Sequence, residues 1–314
     1  MCIRDRIYSL IAVVVILGYR MILDVFTLGP QLYFARVLIS EAFQLSGSLG
    51  YTGLTIFFIS ITLLVGMFFM DRFSKKTKYY IITPILILNI FIIILANSRG
   101  GILAALFSIF FIMLILNKRL LYVGLVTTII IFLFSYMTIT SFQEAIDGYL
   151  RFNTVSDREV YWQMGLEVIQ DNPVTGVGVD MFDKQFYNYA SSDHLALFKT
   201  GSNKLGKPHP HNFFLYYTAE NGILGFFAGI SFFVVFFSLG IETIKLARNK
   251  EKDKYVLSIV IVALGIGLFV RTFIEIAGFL TYGYITRDLP FWLLFVILIK
   301  IYMGLSTLKF PIKE

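Results

Sequence analysis

ARNKEKDKYVLSIVIVALGIGLFVRTFIEIA, Ala247 to Ala277, sets a basic run against an apolar segment that continues from Tyr255 to Ala277. A helix crosses the hydrocarbon core of a bilayer with about 20 mostly apolar residues, and this stretch has the length and the flanks for it. The pattern recurs. Candidate spans are Ile7–Leu23, Tyr51–Met70, Tyr79–Ala96, Gly101–Leu116, Leu120–Thr140, Asn212–Leu239, Tyr255–Ala277 and Leu289–Leu305. Phe26–Leu45 is apolar too, but Gly29, Pro30, Arg36 and Glu41 break it, so it reads as an interfacial or re-entrant piece. The composition agrees: 57% of the 314 residues are hydrophobic, 15% are charged, and the mean hydropathy is +0.78. A soluble domain is usually about a quarter charged. The expectation is an all-α, polytopic membrane protein with about eight transmembrane helices, a single membrane domain over 1–314.

The net charge of +7 is distributed in short runs such as Asp71–Lys78 and Ala247–Lys254, next to the spans. Such runs orient a membrane protein and meet anionic lipid heads. No Lys/Arg stripe interleaved with stacking aromatics points to nucleic acid. With the N-terminus in the cytoplasm, inside loops hold Arg72, Lys75, Lys76, Lys78, Asn117–Arg119 and Lys245–Lys254, while outside loops hold little more than Arg36, Arg99 and Arg287. That asymmetry puts both termini in the cytoplasm. Cys2 is the only cysteine, so no internal disulfide forms. The first apolar segment reads as a retained span, and the opening MCIRDR as an abrupt start.

One connection differs from the rest. Ser141–Pro210, on the outer face, is long and polar, and long loops are usually functional or disordered. Ser156-Asp157-Arg158-Glu159 fits a capping box that opens a helix to about Gln170. Asp171-Asn172-Pro173 stops it, and Gly176 and Gly178 make a turn. Tyr161, Gly165, Val168 and Ile169 give that helix an apolar face for the membrane bundle.

Four groups of residues carry chemistry. Pro210 suits the first turn of a helix, which would place His211 in that turn, where the dipole disfavours imidazolium. A neutral imidazole suits a general base; equally, His211 and Asn212 could only cap and anchor the helix. Zinc is disfavoured, since His209-x-His211 has only the distant His194 to add. Arg99, in a four-residue loop with Gly100 and Gly101 beside it, either snorkels to lipid phosphates or clamps a phosphate ligand. Arg158 either pairs with Asp157 or Glu159 or supplies a second phosphate contact. Arg271 and Glu275, four apart on one helix, either pair locally or act inside the membrane. Glu220, a lone acid in the span after His211, joins Asn212, His209 and Arg271 as secondary candidates. Gly222, Gly225 and Gly229 have the spacing of close helix packing. No Asp-x-Asp pair, Walker loop or Ser–His–Asp set is present, so no metal or other cofactor is expected.

His211-Asn212, nine residues, then Gly222-x-x-Gly225 resembles the signature of the O-antigen ligase family. Ser98-Arg99-Gly100 opening a span, Arg158-x-x-x-Trp162, and Asp171-Asn172-Pro173 with Gly176 and Gly178 fit it in the same order, from about Asn97 to Gly229. The resemblance implies a glycosyltransferase of the bacterial inner membrane with its site facing the periplasm. The donor would be a glycan on undecaprenyl pyrophosphate. The acceptor would be lipid A–core for a ligase or a second lipid-linked glycan for a polymerase. His211 would be the catalytic base, and Arg99 and Arg158 would hold the leaving pyrophosphate. Inversion would follow from one direct displacement. Family members usually have more than eight spans, so an N-terminal portion is expected to be missing. A transporter of a similar lipid and a scaffold protein of the envelope are the other readings. The first would show paired broken helices and internal repeats, and the second would leave the ordered Arg–Arg–His series without a task.

Overall fold

A computed structural model describes residues 49–95, 99–138, 140, 157–190, 210–276 and 285–306. The expected span Ile7–Leu23, the stretch Phe26–Leu45, His194, His209, and residues 141–156 and 191–209 of the long connection lie outside the described residues.

Every described element is helical, and the apolar segments from Tyr51 onward each fall on a helix. α1 (Leu49–Phe69) ends where Asp71 and Arg72 bring in charge. The Ser74 hydroxyl then accepts from the Thr77 N–H at 3.1 Å and starts a short turn. Lys78–Ile82 follows as a π-helical segment leading into α2 (Thr83–Leu95). Pro84 accounts for the widened turn: its ring collides with a carbonyl four residues back in a regular helix and it donates no hydrogen bond. The Lys78 carbonyl accepts the Thr83 N–H, five residues on, and the Thr83 hydroxyl as well, at 3.0 Å. α3 (Arg99–Leu116) and α4 (Lys118–Thr138) are separated by Asn117, whose side chain accepts from the Leu120 N–H at 3.0 Å. α5 (Asp157–Asp171), α6 (Phe182–Tyr189), α7 (Phe213–Ala247), α8 (Lys252–Arg271) and α9 (Ile285–Ser306) complete the order. Three helices among the described residues are long and apolar enough to cross a membrane: α4, α7 and α8. Shorter apolar helices cover Phe58–Phe69, Gly100–Leu116 and Phe291–Ser306.

The chain divides into two compact units: residues 1–112, 212–214 and 225–314, and residues 113–211 with 215–224. In the first, small residues let helices approach. A side chain at Gly66 of α1 would run into Val260 of α8, and one at Gly265 of α8 into Phe236 of α7. The Ser108 hydroxyl of α3 reaches the Ala263 carbonyl of α8 at 2.8 Å, a bond between helices. Such bonds contribute about 0.6 kcal/mol on average, so Ser108→Ala is expected to lower thermal stability in detergent by only one or two degrees. Phenylalanines fill the rest: Phe233 meets Phe269 edge-on at 4.9 Å, Phe236 meets Phe291 at 5.2 Å, and Phe232 meets Trp292 at 5.0 Å. Away from this core the two basic runs come together. Asp71 accepts from Lys252 at 2.6 Å, and its N–H donates to Asp253 at 2.9 Å. Asp71–Lys78 and Ala247–Lys254 therefore meet through Asp71, Lys252 and Asp253.

The second unit has its own core. Val160, Met164 and Val168, four apart along α5, pack with Phe182 and Phe186 of α6 and Ala219 of α7. Tyr161 and Ile169 border this core. The apolar face expected to lie on the membrane bundle is thus covered by α6 and the early turns of α7. α4 presents Ile129, Ile130, Ile131 and Phe134 outward, a surface suited to lipid.

Candidate functional site

His211 does not stand in a helix. Pro210 is buried, and a methyl group at Gly165 of α5 would lie 3.7 Å from its Cβ. His211 follows with φ +45, in the left-handed region, and α7 begins only at Phe213. The expectation that His211 occupies the first turn, under the helix dipole, is corrected: it lies two residues before the helix. Proline suits a helix start but equally precedes a reversal, and histidine is among the residues that tolerate positive φ. Within the second unit the His211 ring lies 6.1 Å from that of Tyr161, tilted by 49°. Within the first unit, Asn212 and Phe213 are tied to the turn that ends α8. The Phe213 N–H donates to the Thr272 carbonyl at 2.8 Å, and the Asn212 amide donates to the Phe273 carbonyl at 3.2 Å. A neighbouring backbone thus satisfies the first N–H of α7, which has no partner within the helix.

α7 is broken at Gly222, its tenth residue of 35. Gly222 has φ +63 and ψ −160, a conformation open essentially to glycine alone. In a continuous helix the Ile223 and Leu224 N–H groups would bond the Ala219 and Glu220 carbonyls. Instead Ala219 accepts from Val177 at 2.9 Å, Glu220 accepts from Gly178 at 2.8 Å, and Ile223 donates to Pro173 at 2.9 Å. The segment Pro173–Gly178 inserts as a strap, which pairs the Ala219 and Glu220 carbonyls and the Ile223 N–H. Side chains at Gly222 and Gly176 would run into the backbones of Val174 and Glu220 respectively. Gly176 and Gly178 hold the strap's bend with φ +65 and +100. Gly222 therefore does not serve helix–helix packing, as its spacing suggested; it admits a loop. Gly229 does serve packing, against the ring of Phe213, with a methyl 2.7 Å from Cε1.

Glu220, 3% exposed, locks the strap from the side-chain end. Its carboxylate accepts from the Phe182 N–H at 3.4 Å and also from the Asp180 N–H and the Tyr216 hydroxyl. Asp180 sits at φ +58, a strained turn that these bonds offset. Removing the acceptor leaves buried donors unpaired, at about 1–3 kcal/mol. Glu220→Ala is expected to melt several degrees below the wild type, and Glu220→Gln, which keeps one oxygen, between them.

Arg99 is the first residue of α3, not part of a loop, and Arg158 is in the first turn of α5; their side chains and all of His209 lie outside the described residues. Arg271, 3% exposed, is the last residue of α8. Glu275 is beyond the helix, its N–H bonded to the Arg271 carbonyl at 2.9 Å, so the two do not share a helix as expected. Two features escaped the sequence reading: Tyr161 beside His211, and the strap in α7. The Asp-Asn-Pro and Gly-x-Gly signals marked the strap but not its destination.

Residues 84–230 match the O-antigen ligase family model. The chain carries an O-antigen ligase-family domain. No curated protein matches the chain. The O-antigen ligase-family domain takes in Arg99, Arg158, His211, the strap and the Gly222 break, and ends before the turn that receives Phe213. Its family consists of membrane glycosyltransferase-like ligases and polymerases working on lipid-linked glycans.

Proposed function

We propose that the protein is a polytopic inner-membrane glycosyltransferase of about eight spans, with both termini cytoplasmic. It moves a glycan from undecaprenyl pyrophosphate to an acceptor hydroxyl at the periplasmic face. The observation that carries this reading is His211, a non-glycine residue held at positive φ inside the family-matched segment, two residues before a helix start. Strain of this kind collects where a side chain must be aimed. In the proposed reaction His211 takes the proton of the acceptor hydroxyl as its oxygen attacks the sugar carbon. The bond to the pyrophosphate breaks in the same displacement, inverting that carbon. Arg99 and Arg158 hold the charge gathering on the leaving diphosphate, which fixed cations stabilise without reorganisation.

The break in α7 bears on the transport alternative. Broken helices in transporters free backbone groups for substrate or ion, whereas here the strap has taken the Ala219 and Glu220 carbonyls. That favours a transferase. The test is reconstitution in liposomes with lipid-linked donor, offering lipid A–core in one arm and a second lipid-linked glycan in the other. Transfer to the first marks a ligase and to the second a polymerase; transfer to neither sinks the reading. Arg99→Ala and Arg158→Ala are each expected to lower transfer about tenfold or more through weaker diphosphate contact.

A further inference from the structure

The turn that follows α8, Arg271 to Ile274, lies outside the family-matched segment and touches two of its key helix starts. On one side it receives the start of α7: Thr272 accepts from Phe213 N–H at 2.8 Å and Phe273 from the Asn212 amide at 3.2 Å. On the other it meets the start of α3. A methyl group at Gly100 would lie 3.2 Å from Ile274 Cδ1, 3.6 Å from its Cγ1 and 3.8 Å from Arg271 Cγ. All of these residues belong to the first unit. The turn is well held: Arg271 and Thr272 are 3% and 5% exposed, Thr272 N–H bonds back to Leu268 at 3.0 Å, and Ile274 N–H to Arg271 at 2.9 Å. Phe273 is locked by Phe214 at 5.6 Å and Phe269 at 5.4 Å.

We propose that Arg271–Ile274 is a positioning element that sets the helix start bearing Arg99 in register with the Asn212–Phe213 start of α7. A side chain at position 100 would press on the Ile274 side chain, so the turn limits what the start of α3 can carry there. Asn212 is an amide because the group it meets is a carbonyl, which only a donor can satisfy. The activity arm of the test rests on the transferase reading; the exchange arm does not.

The experiment compares wild type, Gly100→Val, Ile274→Ala and the double variant, all full-length in liposomes or detergent. Gly100→Val is expected to raise the donor KM about fivefold or more, as overpacking displaces Arg99. Ile274→Ala, by opening the space, returns the double variant to within about twofold of wild type. In hydrogen exchange, Gly100→Val speeds the backbone amides of residues 212–216, and the double variant slows them again. Gly100→Ala, which needs a shift of only a few tenths of an ångström, replaces the valine if that variant does not fold. A purely structural contact would lower melting temperature and yield with the donor KM unmoved, and that result overturns the proposal. So does unchanged exchange at 212–216, or a double variant no better than Gly100→Val. A wild-type protein that transfers no glycan ends the transferase reading instead, and the exchange arm still decides the coupling.

Discussion

His211→Ala is expected to reduce glycan transfer by about 10²–10⁴-fold, the usual contribution of a general base, with little change in folded yield. Alanine is no better suited to φ +45 than histidine, so the backbone gains nothing from the exchange. His211→Gly is more revealing. Glycine removes a left-handed penalty of about 1 kcal/mol, so this variant should melt slightly above the wild type and be equally inactive. Gain of stability with loss of function is what a strained, functional residue predicts. Transfer at the wild-type rate by either variant removes His211 from the chemistry, and a lower melting point for the glycine variant removes the strain argument. Liposome transfer assays and thermal melts in detergent give both answers.

Gly222→Val is expected to have the largest effect on stability, about 3 kcal/mol or more. The side chain would have to adopt φ +63 and ψ −160, and its Cβ would drive into the Val174 backbone, which has no flexible end to move aside. The alternative, a straightened α7, would strand the strap's Val177 and Gly178 donors. Loss of the strap should show as new protease cleavage near Pro173–Gly178 and as a lowered melting temperature. Gly229→Ala is the control: its methyl meets the Phe213 ring, and a cost nearer 1 kcal/mol is expected. A Gly222→Val protein with the wild-type melting point and cleavage pattern would show that the break in α7 is dispensable.

Much of the fold was legible because hydrophobic runs of span length admit few other structures. Tyr255–Ala277 shows both the strength and the limit of that reading. The apolar pattern runs past Arg271 without interruption, yet the helix stops there and Glu275 leaves it, because Thr272 and Phe273 turn their carbonyls to Asn212 and Phe213. Hydropathy registers where a chain is apolar, not where its backbone bonds are used elsewhere. The same holds for Gly222. Its spacing to Gly225 and Gly229 fits small-residue packing as well as it fits a break, and the difference depends on a loop 45 residues upstream. Pro210 identified a change of direction, but whether histidine enters the helix or precedes it depends on a donor–acceptor pair to Thr272 that no local pattern encodes. The ends of α5 and Val168 are legible in the sequence; the apolar pattern Tyr161, Gly165 runs one residue out of register with Val160 and Met164, which pack inward.

The strap has a consequence for the order in which the protein is made. Pro173–Gly178 leaves the ribosome before α7 does. When α7 emerges, its partner already exists, and the exchange of bonds at Ala219, Glu220 and Ile223 can occur as the helix forms. A circular permutant that placed α7 ahead of residues 157–190 would reverse this sequence of events. Its α7 would first close as an unbroken helix, and the late-arriving loop would then have to open bonds already made. Such a chain should mature slowly even though its native bonds are the same.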